Sequence, residues 1–498
     1  MRRARALPLI LAAAVATGCT RADSGRPIVV GSKVFTESVV LGELLTQAAR
    51  AAGVAAEHRR EVGGTRVVFE ALKRGDIDAY VEYTGTISQE LVPGVTDAAM
   101  PGALAASGIS MTKPLGFNNT YAIGMMAAAA DRLGVLTISD LARHPDLEFG
   151  FANEFMSRGD GWPSLRARYH LAHTRVRGLD HDLAYRALEA GQIAATDLYS
   201  TDAEIRAYGL RVLEDDLGHF PRYQAIVLYR SDITGRADAA VAAWDRLSGR
   251  VDEGSMIAMN ARVKLDGVPE AQVAADFLAA TTGQTADVQV SSRPRRILAR
   301  AREHLLLVAV SLAAAIAIGL PLGVLAARWR RAGRIVLALV AVVQTVPSLA
   351  LLVFMIPLLG IGTWPAMAAL FLYSLLPIVR NTHQGLTGIS PELRDSARAL
   401  GLPASAVLRR IELPLASPAI VAGIKTAAVI NVGTATLGAL IGAGGFGQPI
   451  LTGIRLADTA LILEGAIPAA LLALAAQALL DGAERVIVPR GLRLSRGR

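Results

Sequence analysis

"RDSARALGLPASAVLRRIELPL", residues 394–415, is charged and broken by Gly401 and Pro403, yet apolar runs long enough to cross a bilayer stand on both sides of it. Pro391 suits the first turn of a helix over "PELRDSARAL", and Gly401 with Pro403 suits its end. "ASAVLRRIEL" reads as a second helix closed by Pro414. Held between neighbouring spans, this helix–turn–helix projects as a rigid knob. Its side of the membrane is set by the count of crossings.

Runs such as "LLLVAVSLAAAIAIGLPLGVLAA" (305–327) meet the ~20 apolar residues that a hydrocarbon core requires. Further apolar segments cover roughly 335–359, 364–379, 418–443 and 459–480, predicting five transmembrane helices. Five crossings that begin outside end inside. Arg328, Arg330, Arg331 and Arg334 crowd the first loop; Arg380, Arg394, Arg398, Arg409 and Arg410 lie in 380–417. The tail carries Arg485, Arg490, Arg493, Arg496 and Arg498, whereas the alternate loops are nearly free of positive charge, Arg455 excepted. The positive-inside bias therefore puts 394–415 in the cytoplasm and the N-terminal part outside. "RPRRILARAREHL" (293–305) disagrees, being basic and outside; a long translocated domain before it overrides the bias. It is read as a linker or interfacial helix over 291–304, its arginines facing lipid phosphates.

Before about residue 295 the 498-residue chain reads as a soluble protein, so its 52% hydrophobic content is unevenly placed. The net charge of +8 is mostly arginine. These arginines flank spans rather than forming one face, which argues against nucleic acid as partner. The single cysteine, Cys19, excludes an internal disulfide. "MRRARALPLILAAAVATGC" has a basic start and an apolar stretch, the form of a signal peptide over 1–19. Its Ala16-Thr17-Gly18-Cys19 end is similar to a lipobox, with Ala16 where leucine is usual, and Cys19 is read as the acylated residue. An ordinary signal peptide or a short anchoring helix is the alternative, and each of these exports the chain from residue 20 onward.

Pro321, Pro347, Pro357, Pro377 and Pro468 fall inside the spans, where neighbouring helices or a cavity satisfy the freed backbone groups. Gln344 and Asn431 are expected to make interhelical hydrogen bonds. Glu464, costlier to bury, is expected to face water or a pore.

The pattern Asp395-Ser396-Ala397, three residues, Gly401, nine residues, Ile411-x-Leu413-Pro414 resembles the EAA loop of ABC importer permeases. Asp and Ser replace the first Glu and Ala. The resemblance implies a type I permease over 305–485, whose coupling loop (391–414) docks on an ATP-hydrolysing subunit through Asp395, Ser396, Ala397 and Gly401. A basic cytoplasmic tail would come after it at 486–498. The ATPase must be another polypeptide, since a P-loop needs Gly-Lys before Ser or Thr and no Gly-Lys dipeptide occurs.

Residues 27–290 alternate short strand and helix patterns and read as an α/β domain, long enough for two lobes. Crossovers near 113–119 and 216–222 put about 120–215 in the second lobe. "VGSKVFTES" (30–38), "GDIDAYVEYTGT" (75–86), "GFNNTYA" (116–122), "DLYSTDAEI" (197–205) and "FPRYQA" (220–225) resemble the periplasmic-binding-protein components of osmoprotectant importers. "GTATLGALIGAGGFG" (433–447) resembles the permease of the same systems. The resemblance covers both halves and implies a ligand such as glycine betaine, carnitine or choline.

A quaternary ammonium offers no strong N–H donor, so aromatic faces must hold it, each cation–π contact contributing ~0.5–2 kcal/mol. Of ten tyrosines, Tyr83, Tyr121, Tyr199 and Tyr223 stand in these motifs and match cage tyrosines of related binding proteins. By the same resemblance Lys33, Thr86 and Arg158 hold a ligand carboxylate, and Asn119 stands where some relatives have an acid near the ammonium. A cage with a cationic clamp favours a zwitterion over choline; ergothioneine or another trimethylated amino acid remains an alternative. His170 and His173 have helical i, i+3 spacing without a third ligand nearby and are read as surface histidines, with no metal and no cofactor expected.

The whole reads as a binding protein fused to an importer permease in the bacterial cytoplasmic membrane, with its binding domain outside. A homodimer is expected by resemblance, since two permease halves enclose a path. A transmembrane sensor would need a cytoplasmic output domain, for which roughly eighteen residues remain after 480. An enzyme acting on choline-like compounds would need a nucleophile–base constellation or a redox cofactor site, and neither is found.

Overall fold

The structure is a computed structural model that describes residues 26–285, 292–456 and 458–489. The signal segment with Cys19, and the tail beyond 489, lie outside the described residues. The exported part contains β1 (Ile28–Lys33), β2 (Ala56–Gly63), β3 (Ala79–Tyr83), β4 (Ile109–Met111), β5 (Tyr121–Met126), β6 (Phe149–Ala152), β7 (Val176–Leu179), β8 (Thr196–Tyr199), β9 (Leu210–Leu213) and β10 (Ala225–Arg230). A five-stranded sheet has the order β2-β1-β3-β10-β4. β1 is parallel to β2 and β3, whereas β10 is antiparallel to β3 and β4. Because β10 returns to the first sheet, the chain leaves that lobe after β4 and re-enters it at β10.

Between those points β8-β5-β9 pair antiparallel, and β6 pairs parallel with β7. A bridge from Phe149 to Ala195 joins the two groups into the second lobe. The crossing segments are bonded to one another, Asn119 N donating to Tyr223 O at 3.0 Å and Tyr223 N to Asn118 Oδ1 at 2.7 Å. They form a two-stranded hinge. The long helix α1 (Thr36–Ala51) comes directly after β1 and packs Val40, Leu41, Leu44 and Leu45 into the first lobe's core.

The membrane part is helical: α2 (Arg293–Arg328), α3 (Arg330–Thr345), α4 (Ser348–Leu359), α5 (Thr363–Thr387), α6 (Pro391–Ala399), α7 (Leu413–Ala435), α8 (Gly447–Arg455) and α9 (Thr459–Ile487). Four helical stretches are long and apolar enough to span, at 293–328, 363–387, 404–441 and 459–487; α3 with α4 makes a fifth if counted as one bent span. That pair covers the single apolar segment read over 335–359, which contains Pro347 and Pro357. It turns by 101° at Val346-Pro347, because proline withholds a helical N–H and biases the residue before it toward extended backbone.

At 1.5 Å per residue the 36 residues of α2 extend about 54 Å, well beyond a core of about 30 Å. The basic stretch expected as a linker is therefore, from Arg293 on, the outer end of the first span. Its arginines do not all turn to lipid: Arg293 Nε and Arg296 Nη2 donate to Glu464 Oε2 at 3.1 and 3.0 Å. Glu464, expected to face water or a pore, lies beneath this pair, largely buried, at the wall of a cavity of about 560 Å³.

The spans meet through small residues and one polar bridge. A Cβ on Gly323 of α2 would lie 2.5 Å from Thr382 Cβ of α5, and one on Gly319 would lie 2.9 Å from Ile378 Cγ2. Glycines four apart let the two helices approach to backbone contact. Asn431 of α7 accepts from Ser374 of α5 at 2.9 Å and donates to Ser311 of α2 at 3.1 Å, tying three spans. Gln344, given the same role from the sequence, makes no such side-chain bond among the described residues.

Candidate functional site: an aromatic cleft between two lobes

Parallel strands of an α/β sheet leave a crevice beyond their carboxyl ends. β1 ends in Lys33 and β3 in Tyr83, with Thr86 just beyond, all at the same edge of the first sheet. From the second lobe come Tyr121, the first residue of β5, and Tyr199, the last of β8, paired directly across the ladder. Asn119 and Tyr223 lie on the hinge strands, and Arg158 lies on the loop after β6. All eight line one cavity of about 160 Å³.

Aromatic rings form its walls. Tyr121 stands 5.1 Å from Tyr199 and 5.7 Å from Tyr223, edge-on to the latter. Phe35, between β1 and α1, lies 5.6 Å from Tyr199 and 6.4 Å from Tyr83, so it closes the gap between the lobes. Phe35 was not singled out from the sequence, although it stands inside "VGSKVFTES", two residues past Lys33.

The charged residues are arranged differently from a simple clamp. Lys33 Nζ lies 2.5 Å from Glu82 Oε1 and 3.1 Å from Thr65 Oγ1. Arg158 grips Asp160 with two bonds, of 2.7 and 2.8 Å, while its guanidinium lies 5.2 Å from the Tyr121 ring centre. Tyr223 donates its hydroxyl to the same Asp160. Both cations are thus engaged by acids of the chain itself, and neither Glu82 nor Asp160 was foreseen.

Glu37, at the start of α1, was also missed and ties the cleft together. It accepts from Tyr83 at 2.6 Å, Asn119 at 2.8 Å, Thr201 at 2.5 Å and Asn260 at 3.1 Å, drawn from both lobes and the hinge. Burial pushes its carboxyl above the ordinary range, against the opposing pull of these four donors. Asn119 is thus a neutral donor to Glu37 behind the cleft wall. Its signal in the sequence is its place inside "VGSKVFTES", on the buried first turn of α1.

His181, on the rim of the same cavity, lies 4.4 Å from the Tyr199 ring, tilted against it by 31°, and bonds Asp202 Oδ2 at 3.0 Å. Burial by itself would lower its pKa, but Asp202 and Asp197 outweigh burial and hold it well above the usual value. Of the histidines read as surface residues, His173 is buried, stacked 4.0 Å from Phe149 and bonded to the His144 carbonyl at 2.9 Å. The helix before it ends at Arg168, so the i, i+3 reading fails there.

At the other end, α6 carries Asp395, Ser396 and Ala397, and Gly401 ends it with φ +78°. Gly401 N donates to Arg398 O at 2.9 Å and Leu402 N to Ala397 O at 3.3 Å, the paired bonds of a left-handed helix stop. Asp395, Ser396, Leu393 and Leu400 are exposed on this knob, whereas Ala397 faces inward.

A cleft between two α/β lobes, seated on a helical membrane domain with an exposed polar knob, defines a substrate-binding protein fused to a transport permease. The substrate-binding domain of the ABC-type glycine betaine transport system matches residues 26–280, and the inner membrane component of binding-protein-dependent transport systems matches residues 319–492. The membrane half is 39% identical over 196 residues to the choline transport system permease protein OpuBB of Bacillus subtilis (strain 168), covering 39% of this chain and 90% of that protein. It is 44% identical to the osmoprotectant import permease protein OsmW of Salmonella typhimurium (strain LT2), over 38% of this chain and 91% of that protein. A crystal structure of a glycine betaine/carnitine/choline ABC transporter aligns with 51% of this chain and 98% of its own, at 26% identity and a TM-score of 0.45. The chain belongs to the ABC-type glycine betaine transport family, with binding and permease components in one polypeptide. It is an inner membrane protein whose binding domain lies outside.

Proposed function

We propose that the cleft captures a small quaternary-ammonium osmolyte and hands it to the membrane helices, driven by a separate ATPase that docks on the loop at Asp395–Gly401. The observation that carries this reading is the convergence of Tyr83, Tyr121, Tyr199, Tyr223 and Phe35, from two lobes and their hinge, on one cavity. A trimethylammonium group donates no strong hydrogen bond, so such faces are its characteristic means of recognition. Relatives of the membrane half carry names that specify choline, carnitine or glycine betaine, in keeping with that class. Two permease domains are needed to enclose a path, so the working unit is a homodimer with two ATPase chains. Cys19, once acylated, adds a lipid anchor.

Between ligands, the sequence pattern favours a zwitterion such as glycine betaine, with Lys33, Thr86 and Arg158 on its carboxylate. One observation favours choline instead. Glu82 and Asp160 already engage those two cations, while Glu154, Asp180 and Asp182 line the same cavity, a balance that suits a net positive ligand. Calorimetry on the full chain in lipid nanodiscs, offering glycine betaine, carnitine, choline and ergothioneine separately, tests both readings. Binding of a zwitterion that is lost in Arg158→Ala supports the clamp. Binding of choline alone removes it, and binding of none defeats the ligand class.

A further inference from the structure

Arg455, at the end of α8, is an arginine where the inside-positive pattern leaves none, and it is buried. Its guanidinium enters the binding domain and meets three partners. Nε donates to Glu61 Oε1 at 3.0 Å, Nη2 to Glu270 Oε1 at 2.8 Å and Nη1 to Thr36 Oγ1 at 2.8 Å. Gln448 and Thr452 of the same helix add bonds to Glu61 at 3.4 and 3.0 Å. Glu61 adopts φ +54°, a left-handed conformation shared among the described non-glycine residues with His170 alone. Such a backbone persists only where its surroundings over-determine it. Here its amide is held by Ser32 Oγ at 3.1 Å and its carboxylate by α8.

Thr36 is the telling partner. It is the first residue of α1, directly between Phe35 of the cavity wall and Glu37, which bonds Tyr83, Asn119 and Thr201. We propose that Arg455 is a positioning residue for the ligand cleft: through Thr36 the permease helix α8 holds the Phe35–Glu37 segment, so that docking of α8 and closure of the lobes are thermodynamically linked. Linkage is reciprocal, so a ligand that closes the cleft tightens the grip on α8, and release of α8 loosens the ligand by the same factor. A lysine cannot replace the guanidinium, whose planar fork of donors serves three acceptors at once.

The inference rests on the ligand reading above, and its test separates the two. Glycine betaine and choline serve as probes in calorimetry on the full chain in nanodiscs, with thermal unfolding as the control for an intact fold. Arg455→Ala weakens binding about fivefold or more, the lower bound of an ordinary coupling. Thr36→Val weakens it in the same direction, the double variant goes no further than Arg455→Ala, and Arg455→Lys does not rescue. Arg455→Ala and Thr36→Val both leaving affinity within twofold in folded protein overturns the proposal. If Arg455→Ala does not fold, Thr36→Val decides alone. If the unaltered chain binds neither probe, the ligand reading falls, and amide hydrogen exchange then decides: faster exchange over residues 36–40 in Thr36→Val upholds the hold on α1, and unchanged exchange overturns it.

Discussion

Arg328, the last residue of the first span, donates from Nη2 to Glu412 Oε2 at 2.6 Å, and Glu412 stands at the base of the cytoplasmic loop. The other oxygen of Glu412 accepts from Arg394 Nε of α6 at 2.9 Å. One buried carboxylate thus fastens the exposed knob both to α2 and to the start of α7. A push on α6 is delivered to two spans rather than absorbed by a loose loop.

Removing that carboxylate has a definite expected effect. Glu412→Ala strands two arginines that are themselves partly in water, so the loss is less than for a fully buried pair, roughly 1–3 kcal/mol. Thermal unfolding of the purified chain checks the stability. With the ATPase bound, ligand-stimulated ATP hydrolysis falls more than ligand affinity does; an equal fall in both defeats the coupling role.

Tyr121 touches four aromatic rings, Tyr199 and Tyr223 of the cavity and Phe155 and Phe220 behind it. Tyr121→Ala should weaken ligand binding about tenfold or more, the equivalent of ~1.4 kcal/mol. Tyr121→Phe, which keeps the ring, should stay within a few-fold of the unaltered chain. Titration calorimetry on both variants distinguishes ring from hydroxyl.

The His181–Asp202 pair makes stability depend on pH in both directions. His181 is raised well above 6.5, so its contribution is fully present below that pH and is lost as pH rises through its folded value. Asp202 is lowered from 3.8, burial notwithstanding, mainly by His181, so its contribution is present above that pH and is lost as pH falls through its folded value. Denaturant unfolding from acid to alkaline pH should show a plateau between these limits. His181→Gln should remove the alkaline decline.

Gly401 has φ +78° and open space where a Cβ would stand. Gly401→Ala should therefore cost only the backbone penalty, about 1–2 kcal/mol, and Gly401→Asn less than Gly401→Val. Ordered loss of ATPase stimulation in the series Asn, Ala, Val checks this against a contact role, which predicts that all three fail alike.

Much of this protein is legible in its sequence because the signals are local. Hydropathy runs and flanking arginines mark the spans and their direction, since a bilayer imposes one length and one charge asymmetry on every crossing. The motif from Asp395 to Pro414 carries its own helix start and stop, with Gly401 free to take the left-handed turn. Seven of the eight cleft residues lie in the quoted phrases, Arg158 excepted. Lys33, Tyr83, Tyr121 and Tyr199 meet because β1 and β3 of one sheet end, and β5 and β8 of the other begin and end, at the cleft. The pairing of charges is different, because it is fixed by packing. Lys33 with Glu82, Arg158 with Asp160, Glu464 with Arg293 and Arg296, and Arg455 with Glu61 and Glu270 each join a buried acid to a cation. A buried charge must find an opposite one, but which one it finds depends on how the lobes and helices pack. No spacing rule along the chain encodes that.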